Sequence, residues 1–283
     1  MNPLDEKYRR LRRFISEKGK GGVVIAFSGG VDSSTLAYVC HEVLGEKAVA
    51  VTAISPTYPS EELEDARRVA EEIGIRHITI HTNELSDENF VKNPEDRCYH
   101  CKSSLLDSLQ EVADDLGFKA IFEGTNLSDL GGHRPGFRAV TERANVYSPW
   151  AESGFTKDDI RKLARRFGLS VKDKPPLACL ASRIPFGERI TAERLVRVGK
   201  AERVVRRLSG ARQVRVRDHN GLARIEVGRD EMGLVLDVKL MSRIAAELKR
   251  LGFKYVTLDL EGYRTGSMLL TLENDGREEQ SSG

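Results

Sequence analysis

The residues able to do chemistry fall in three short stretches. DRCYHCK (96–102) sets Cys98 and Cys101 three apart between charged neighbours. A Cys-x-x-Cys pair closes a redox disulfide, holds zinc or holds part of an iron–sulfur cluster. FSGGVDSS (27–34) brings two glycines and the serines Ser28, Ser33 and Ser34 to the junction of a strand-like run and a helix-like one. Glycines there let the backbone approach a bound anion, and the first amides of the helix point at it with the helix dipole behind them. No Gly-Lys-Ser/Thr follows, which excludes a Walker-type loop. KPPLACLASRIPFG (174–187) puts Cys179 in a proline-bounded loop four residues before Arg183, and a nearby cation favours the thiolate. The fourth cysteine, Cys40 in LAYVCHEVL, has the apolar neighbours of a core position.

The elements that position these residues follow from periodicity. VVIAF (23–27), AVAVTAI (48–54), RHITIHT (76–82) and KAIFEG (119–124) read as strands. They alternate with helical stretches over about 32–44, 60–74 and 103–117, after a charged, helix-patterned N-terminus. That grammar predicts an α/β fold, a doubly wound parallel sheet with helices on both faces. The 27–34 loop then lies at the carboxyl end of a strand, where such sheets bind ligands. TKDDIRKLARRFG (156–168) reads as one more capped helix, and 174–187 as a loop. Beyond it come a basic helix (191–208), a hairpin QVRVRDHNGLARIEVG turning at HNG, a helix over about 230–251 and the strand YVTLDL. These predict a smaller C-terminal α+β domain. The expected boundaries are 1–175 and 176–275, with a disordered tail over 276–283.

A net charge of +2 conceals a local imbalance: residues 161–229 hold 19 Lys and Arg against 6 Asp and Glu. Such an excess marks either a solvated helix face or an anionic partner, a phosphorylated small molecule or RNA. The N-terminus has no apolar core of a signal peptide, and no run approaches a membrane span, so a cytoplasmic protein with reduced thiols is expected.

SGGVDSS resembles the PP-loop signature of the ATP pyrophosphatases, which adenylate a substrate and release pyrophosphate, and EGTNLSD (123–129) resembles the segment completing their nucleotide site. The resemblance implies that Ser28, Gly29, Gly30, Asp32 and Ser33 bind the phosphates of ATP with Mg²⁺, aided by Gly124, Thr125 and Asn126. DKPPLACLASRIPFGERIT, RVRDHNGLARIEV and FKYVTLDLEGYRTGSM narrow the likeness. They resemble the LarE sulfur transferases of nickel-pincer nucleotide biosynthesis, over about residues 8–268. That family adenylates the carboxylates of pyridinium-3,5-biscarboxylic acid mononucleotide and converts each to a thiocarboxylate.

By this resemblance Cys179 matches the sulfur-delivering cysteine, with Arg183 after it. Arg215 and Arg217, on one face of a strand, match arginines near the substrate's phosphate and carboxylates; read without the motif they would sit on the exposed face of a hairpin. Glu226 matches an acidic residue that positions a metal or a proton. In some members the cysteine gives up its own sulfur and ends as dehydroalanine. In others Cys98, Cys101 and Cys179 would hold a [4Fe–4S] cluster whose open iron carries the donor sulfide. Zinc, with His100 between the cysteines, and a redox disulfide ahead of a helix remain open alternatives. An anionic nucleotide substrate, a homo-oligomer and other proteins of the nickel-pincer pathway are the implied partners. Few aromatics lie among the C-terminal arginines, so no nucleic acid is expected. The rival readings are a tRNA thiolation enzyme on the same fold and a non-catalytic iron–sulfur or nucleotide sensor.

Overall fold

The computed structural model describes residues 2–57, 60–131, 135–174 and 179–269. Strands β1 (Val23–Ala26), β2 (Ala48–Ile54), β3 (Arg76–His81), β4 (Ala120–Phe122) and β5 (Val146–Tyr147) pair in parallel in the order β3-β2-β1-β4-β5. Helices α1 (Pro3–Lys18), α2 (Val31–Leu44), α3 (Ser60–Ile73), α4 (Glu88–Val91), α5 (Arg97–Leu116), α6 (Pro135–Thr141), α7 (Pro149–Glu152) and α8 (Lys157–Arg166) occur along the same stretch of chain.

Strict alternation along the strands splits the interior in two. Val23, Ile25, Ala48, Ala50 and Phe122 enter one core, with Leu11 and Ile15 of α1, Leu36 and Val39 of α2, Ala66 and Val69 of α3, and Ile160 and Leu163 of α8. Their neighbours Val24, Val49, Val51 and Ile121 enter the other, with Leu106, Leu109 and Ala113 of α5 and Ala139 and Val140 of α6. This is the doubly wound α/β arrangement that the sequence predicts. Successive strands run outward from β1 to β3, and the chain then returns to lay β4 on the opposite side of β1. A crevice opens where the strand order reverses, at the carboxyl ends of β1 and β4, and both nucleotide motifs lead out of those strands.

The chain divides into two compact units, residues 1–83 with 96–177, and residues 84–95 with 178–283. In the second unit β6 (Val214–His219) and β7 (Leu222–Val227) form the expected hairpin. Asn220 and Gly221 turn it with positive φ, 47° and 92°, as a two-residue hairpin of this hand requires. A third strand, β8 (Tyr255–Leu258), joins β7 in parallel. Helix α9 (Ala192–Ser209) packs on β6, and α10 (Val238–Arg250) packs on α9.

Four local expectations need correction. Helix α5 starts at Arg97, not near Ser103, so both cysteines of the pair are helical. Strand β5 is two residues long, too short to leave a pattern. The last long helix is preceded by a separate 3-10 turn, Arg229–Leu234, and starts only where the Asp237 side chain accepts from the Leu240 amide at 2.8 Å. The cysteine loop contains a 3-10 turn, Leu180–Arg183. The tail at 276–283 lies outside the described residues. No helix among the described residues is long and apolar enough to cross a membrane.

Much of the basic excess is paired with carboxylates of the same chain. Arg165 pairs with Asp173, Arg166 with Asp5, Lys174 with Glu62 and Asp65, and Arg189 with Glu88. Arg194 and Arg197 converge on Asp218, which is fully buried and also accepts from the Gly221 amide. Asp218→Ala therefore leaves Arg197 without its carboxylate, Arg194 with Glu188 alone and the hairpin turn without its acceptor. Chemical denaturation should show a loss of about 3–5 kcal/mol.

Candidate active site

In the first unit, a cleft of about 350 Å³ is lined by Phe27, Ser28, Gly30, Asp32, Ser33, Lys102, Leu105, Glu123, Gly124, Thr125 and Asp129, among others. The loop after β1 makes its floor. Gly29 has φ of 67°, and a Cβ there would lie 2.8 Å from the Ala66 Cα, so glycine is required twice over. The Ser33 hydroxyl accepts from the Ser28 amide at 3.2 Å and lies 3.1 Å from the Ser28 hydroxyl. Gly30 is the N-cap of α2 and offers no side chain to cap it, which leaves the first amides of a fourteen-residue helix to an anion. Gly124, just after β4, faces the start of α2, where a Cβ would make ordinary contact with Asp32 at 3.4 Å. Asn126 does not line the cleft. It is fully buried, caps the turn Leu127–Asp129 and holds Asp129 through its amide at 2.7 Å.

Two carboxylates of this cleft are in opposite states. Glu123 is buried, and burial alone would raise its proton affinity, but Lys102 at 3.0 Å, the hydroxyls of Ser148 and Thr125 and the Thr125 amide together hold it below the usual carboxylate range. Asp32 goes the other way. Burial lifts its proton affinity, the ion pair with Lys157 offsets this only in part, and the Asp129 carboxylate adds to the rise. One of its oxygens, Oδ1, is buried without a hydrogen-bond partner. A divalent cation would supply what that oxygen lacks, so the donor set fits Mg²⁺, with Asp32 and Asp129 as the residues that would hold it; the ion would offset phosphate charge.

Lys102, Glu123 and Lys157 were not singled out by the sequence reading. Lys102 follows Cys101 directly, so α5 contributes both Lys102 and Leu105 to the cleft and carries the cysteine pair in its opening turns. Cys98 and Cys101 are one turn apart on that helix, neither is in a disulfide, and Cys98 is exposed. A Cβ on Gly136 of α6 would come within 3.2 Å of the Cys98 carbonyl oxygen. His100, between them, turns toward Asp96 at 3.6 Å. Among the described residues no group of three or more His, Cys, Asp and Glu is gathered to hold a metal ion. Cys40 is fully buried, and burial pushes its thiol up, as expected of a core residue.

In the second unit Cys179 is exposed, at the N-terminus of the turn Leu180–Arg183. Its carbonyl accepts from the Ser182 amide at 3.0 Å, the Ser182 hydroxyl at 2.8 Å and Arg183 Nη1 at 3.1 Å. Arg183 is itself buried and makes a two-pronged pair with Glu202, Nε at 2.7 Å and Nη2 at 3.1 Å. Its charge thus anchors the turn, through Glu202 and the Cys179 carbonyl. Glu202 also takes Arg206 at 2.7 Å and the Val216 amide at 3.2 Å; burial opposes its ionisation, and these arginines keep its proton affinity low.

Arg215 and Arg217 share a face of β6, and that face is buried, not exposed. Arg217 pairs with Glu226 through Nε at 3.0 Å and Nη2 at 2.6 Å, and donates to the Ser182 carbonyl at 3.0 Å. Glu226 also accepts from Arg224 at 3.1 Å and Ser267 at 3.0 Å. Arg215 lies over the Tyr263 ring at 5.3 Å, and burial together with the nearby Arg183 lowers its proton affinity. Arg183 and Arg206 pair with Glu202, Arg217 and Arg224 with Glu226, and Arg224 also with Asp259. Planar guanidinium groups of this kind suit carboxylate and phosphate groups.

A glycine-bearing loop opening a helix at the switch point of a parallel sheet, beside an unsatisfied aspartate, defines an anion-binding cleft of the α/β class. The family model for NAD synthase matches residues 4–98. Pyridinium-3,5-bisthiocarboxylic acid mononucleotide synthase of Lactiplantibacillus plantarum is 37% identical over 88% of this chain and 90% of its own. An uncharacterized protein of Synechocystis is 45% identical over 94% of this chain and 97% of its own, and the tRNA-specific 2-thiouridylase MnmA of Rickettsia prowazekii is 27% identical over 54% and 52%. The chain belongs to the LarE family within the PP-loop superfamily, and it is an ATP-dependent sulfur transferase that adenylates its substrate.

Because Asp32 binds its proton more tightly than an ordinary carboxylate, Mg²⁺ must displace that proton as pH falls. Calorimetry should show Mg²⁺-dependent ATP affinity weakening as pH drops through the raised Asp32 value, by about tenfold per unit below it. Asp32→Asn should bind weakly at every pH, with that dependence gone.

Proposed function

We propose that this enzyme converts the carboxylates of pyridinium-3,5-biscarboxylic acid mononucleotide to thiocarboxylates, in the cytoplasm and for a nickel-pincer cofactor. A substrate carboxylate oxygen attacks the α-phosphorus of ATP, the α–β phosphoanhydride breaks, and pyrophosphate leaves. Sulfur then attacks the acyl carbon of the adenylate, the C–O bond breaks, and AMP departs. Ser28, Gly30, Ser33, Gly124 and Thr125 would bind the nucleotide, with Gly29 shaping the loop and Asn126 fixing Asp129. Arg215 and Arg217 would receive the substrate's anionic groups, Arg183 would fix the turn of Cys179, and Glu226 would orient Arg217.

The observation that carries this reading is the double use of α5. It lines the nucleotide cleft with Lys102 and Leu105 and presents two thiols in the turn before them. A chain built only to adenylate has no need of that pair. Cys98, Cys101 and Cys179 are the residues that would hold a [4Fe–4S] cluster, which would supply a sulfide on its open iron. Without it, Cys179 serves as donor: its thiolate forms a thioester with the acyl group, and loss of the Cα proton with cleavage of Cβ–S leaves a thiocarboxylate and dehydroalanine. The tRNA reading finds less support, since so much of the basic excess is paired internally.

Purification without oxygen, reconstitution with iron and sulfide, and iron analysis test the sulfur source. About four irons per chain, lost in Cys98→Ala, Cys101→Ala and Cys179→Ala alike, are expected for the cluster. Iron absent from the wild type, with a mass loss at Cys179 after one turnover, would assign Cys179 as a sacrificial donor. Pyrophosphate release that requires tRNA and ignores the mononucleotide would overturn the substrate assignment.

A further inference from the structure

Asn93, two residues beyond α4, is fully buried and has φ of 57°, a left-handed conformation that asparagine tolerates better than most residues. Its side-chain nitrogen donates toward three carbonyl oxygens, those of Ile184 at 3.3 Å, Pro185 at 2.5 Å and Glu188 at 3.0 Å. Two N–H groups thus serve three acceptors of one loop. The Asn93 carbonyl accepts in return from the Gly187 amide at 2.9 Å, and the Val91 carbonyl from the Ile190 amide at 2.9 Å.

The gripped loop begins at the residue that closes the Cys179 turn, where the Ile184 amide donates to the Ala181 carbonyl at 3.2 Å. The turn is therefore tied twice where it ends. Arg183 holds it to Glu202 on α9, and Asn93 holds its exit to the segment around α4. Packing alone would be met by an apolar residue, so a side-chain nitrogen directed at three carbonyls of one loop, in a conformation that costs energy, points to orientation of that loop.

We propose that Asn93 is a positioning residue for Cys179: it fixes the 184–188 loop so that the thiol is presented in one orientation to the activated acyl group. This rests on the reading of Cys179 as a carrier of the transferred sulfur.

Asn93→Gly tests it, because glycine keeps the positive φ and removes only the amide. The expected result is unchanged substrate-dependent pyrophosphate release, thiocarboxylate formation reduced by about tenfold or more, and an altered rate of Cys179 alkylation by iodoacetamide, resolved by peptide mass spectrometry. Equal Cys179 alkylation in variant and wild type overturns the proposal, and so does a parallel fall in pyrophosphate release. If the wild type releases pyrophosphate but forms no thiocarboxylate, the sulfur-carrier reading fails, and the alkylation comparison alone decides the role of Asn93. Should the glycine variant not fold, hydrogen exchange on the wild type replaces it. The amides of Ser182, Gly187 and Ile190 should then open in one cooperative step, and independent opening overturns the proposal.

Discussion

Glu202 and Glu226 are withdrawn almost completely from water, and the arginine surface of the second unit depends on them. Burying a carboxylate is costly unless every oxygen finds a donor. Here the donors are guanidinium groups, two of them two-pronged, with the Val216 amide and the Ser267 hydroxyl completing the sets. In return the carboxylates let Arg183, Arg215 and Arg217 stand together without repelling one another apart. These guanidinium groups are held in place by the fold itself, through paired hydrogen bonds to buried carboxylates.

The nucleotide unit uses its carboxylates differently. Glu123 has a full complement of donors and acts as scaffold, joining α5 through Lys102 to the turn after β4. Asp32 has one committed oxygen and one bare one. Residue type does not separate the two roles; the number of hydrogen bonds does. Lys157 meanwhile keeps Asp32 from standing as an uncompensated buried charge.

What was legible in the sequence was mostly periodic or local. Short apolar runs at β1, β2 and β4, recurring between amphipathic helices, announced a sheet covered on both faces, FSGGVDSS announced an anion loop, and Asn220–Gly221 announced a hairpin. What was not legible depends on partners distant in the chain. Glu123 meets Lys102 across 21 residues, and Asn93 meets Pro185 across 92. Arg215 and Arg217 alternate with valines, which reads as a solvated face; only Glu202 and Glu226, from other elements, make their burial possible. The basic run from 161 to 229 likewise looked like a surface for a polyanion until its members were found paired. The early start of α5 was hidden because Asp96 makes no side-chain cap and the first turn is rich in non-helical signals.

Segment 84–95 belongs with residues 178–283 although it interrupts the sheet-forming part of the chain. The polypeptide consequently passes between the units three times, and no single cut parts them. A fragment ending at residue 177 would carry off Val91 and Asn93 without the loop that hydrogen-bonds to them. A fragment beginning at 178 would leave the amides of Gly187 and Ile190 without their acceptors. In a recombined or fused gene, then, the cysteine loop travels intact only when the connection between β3 and α5 travels with it. The unit of inheritance here is the whole chain, not either half.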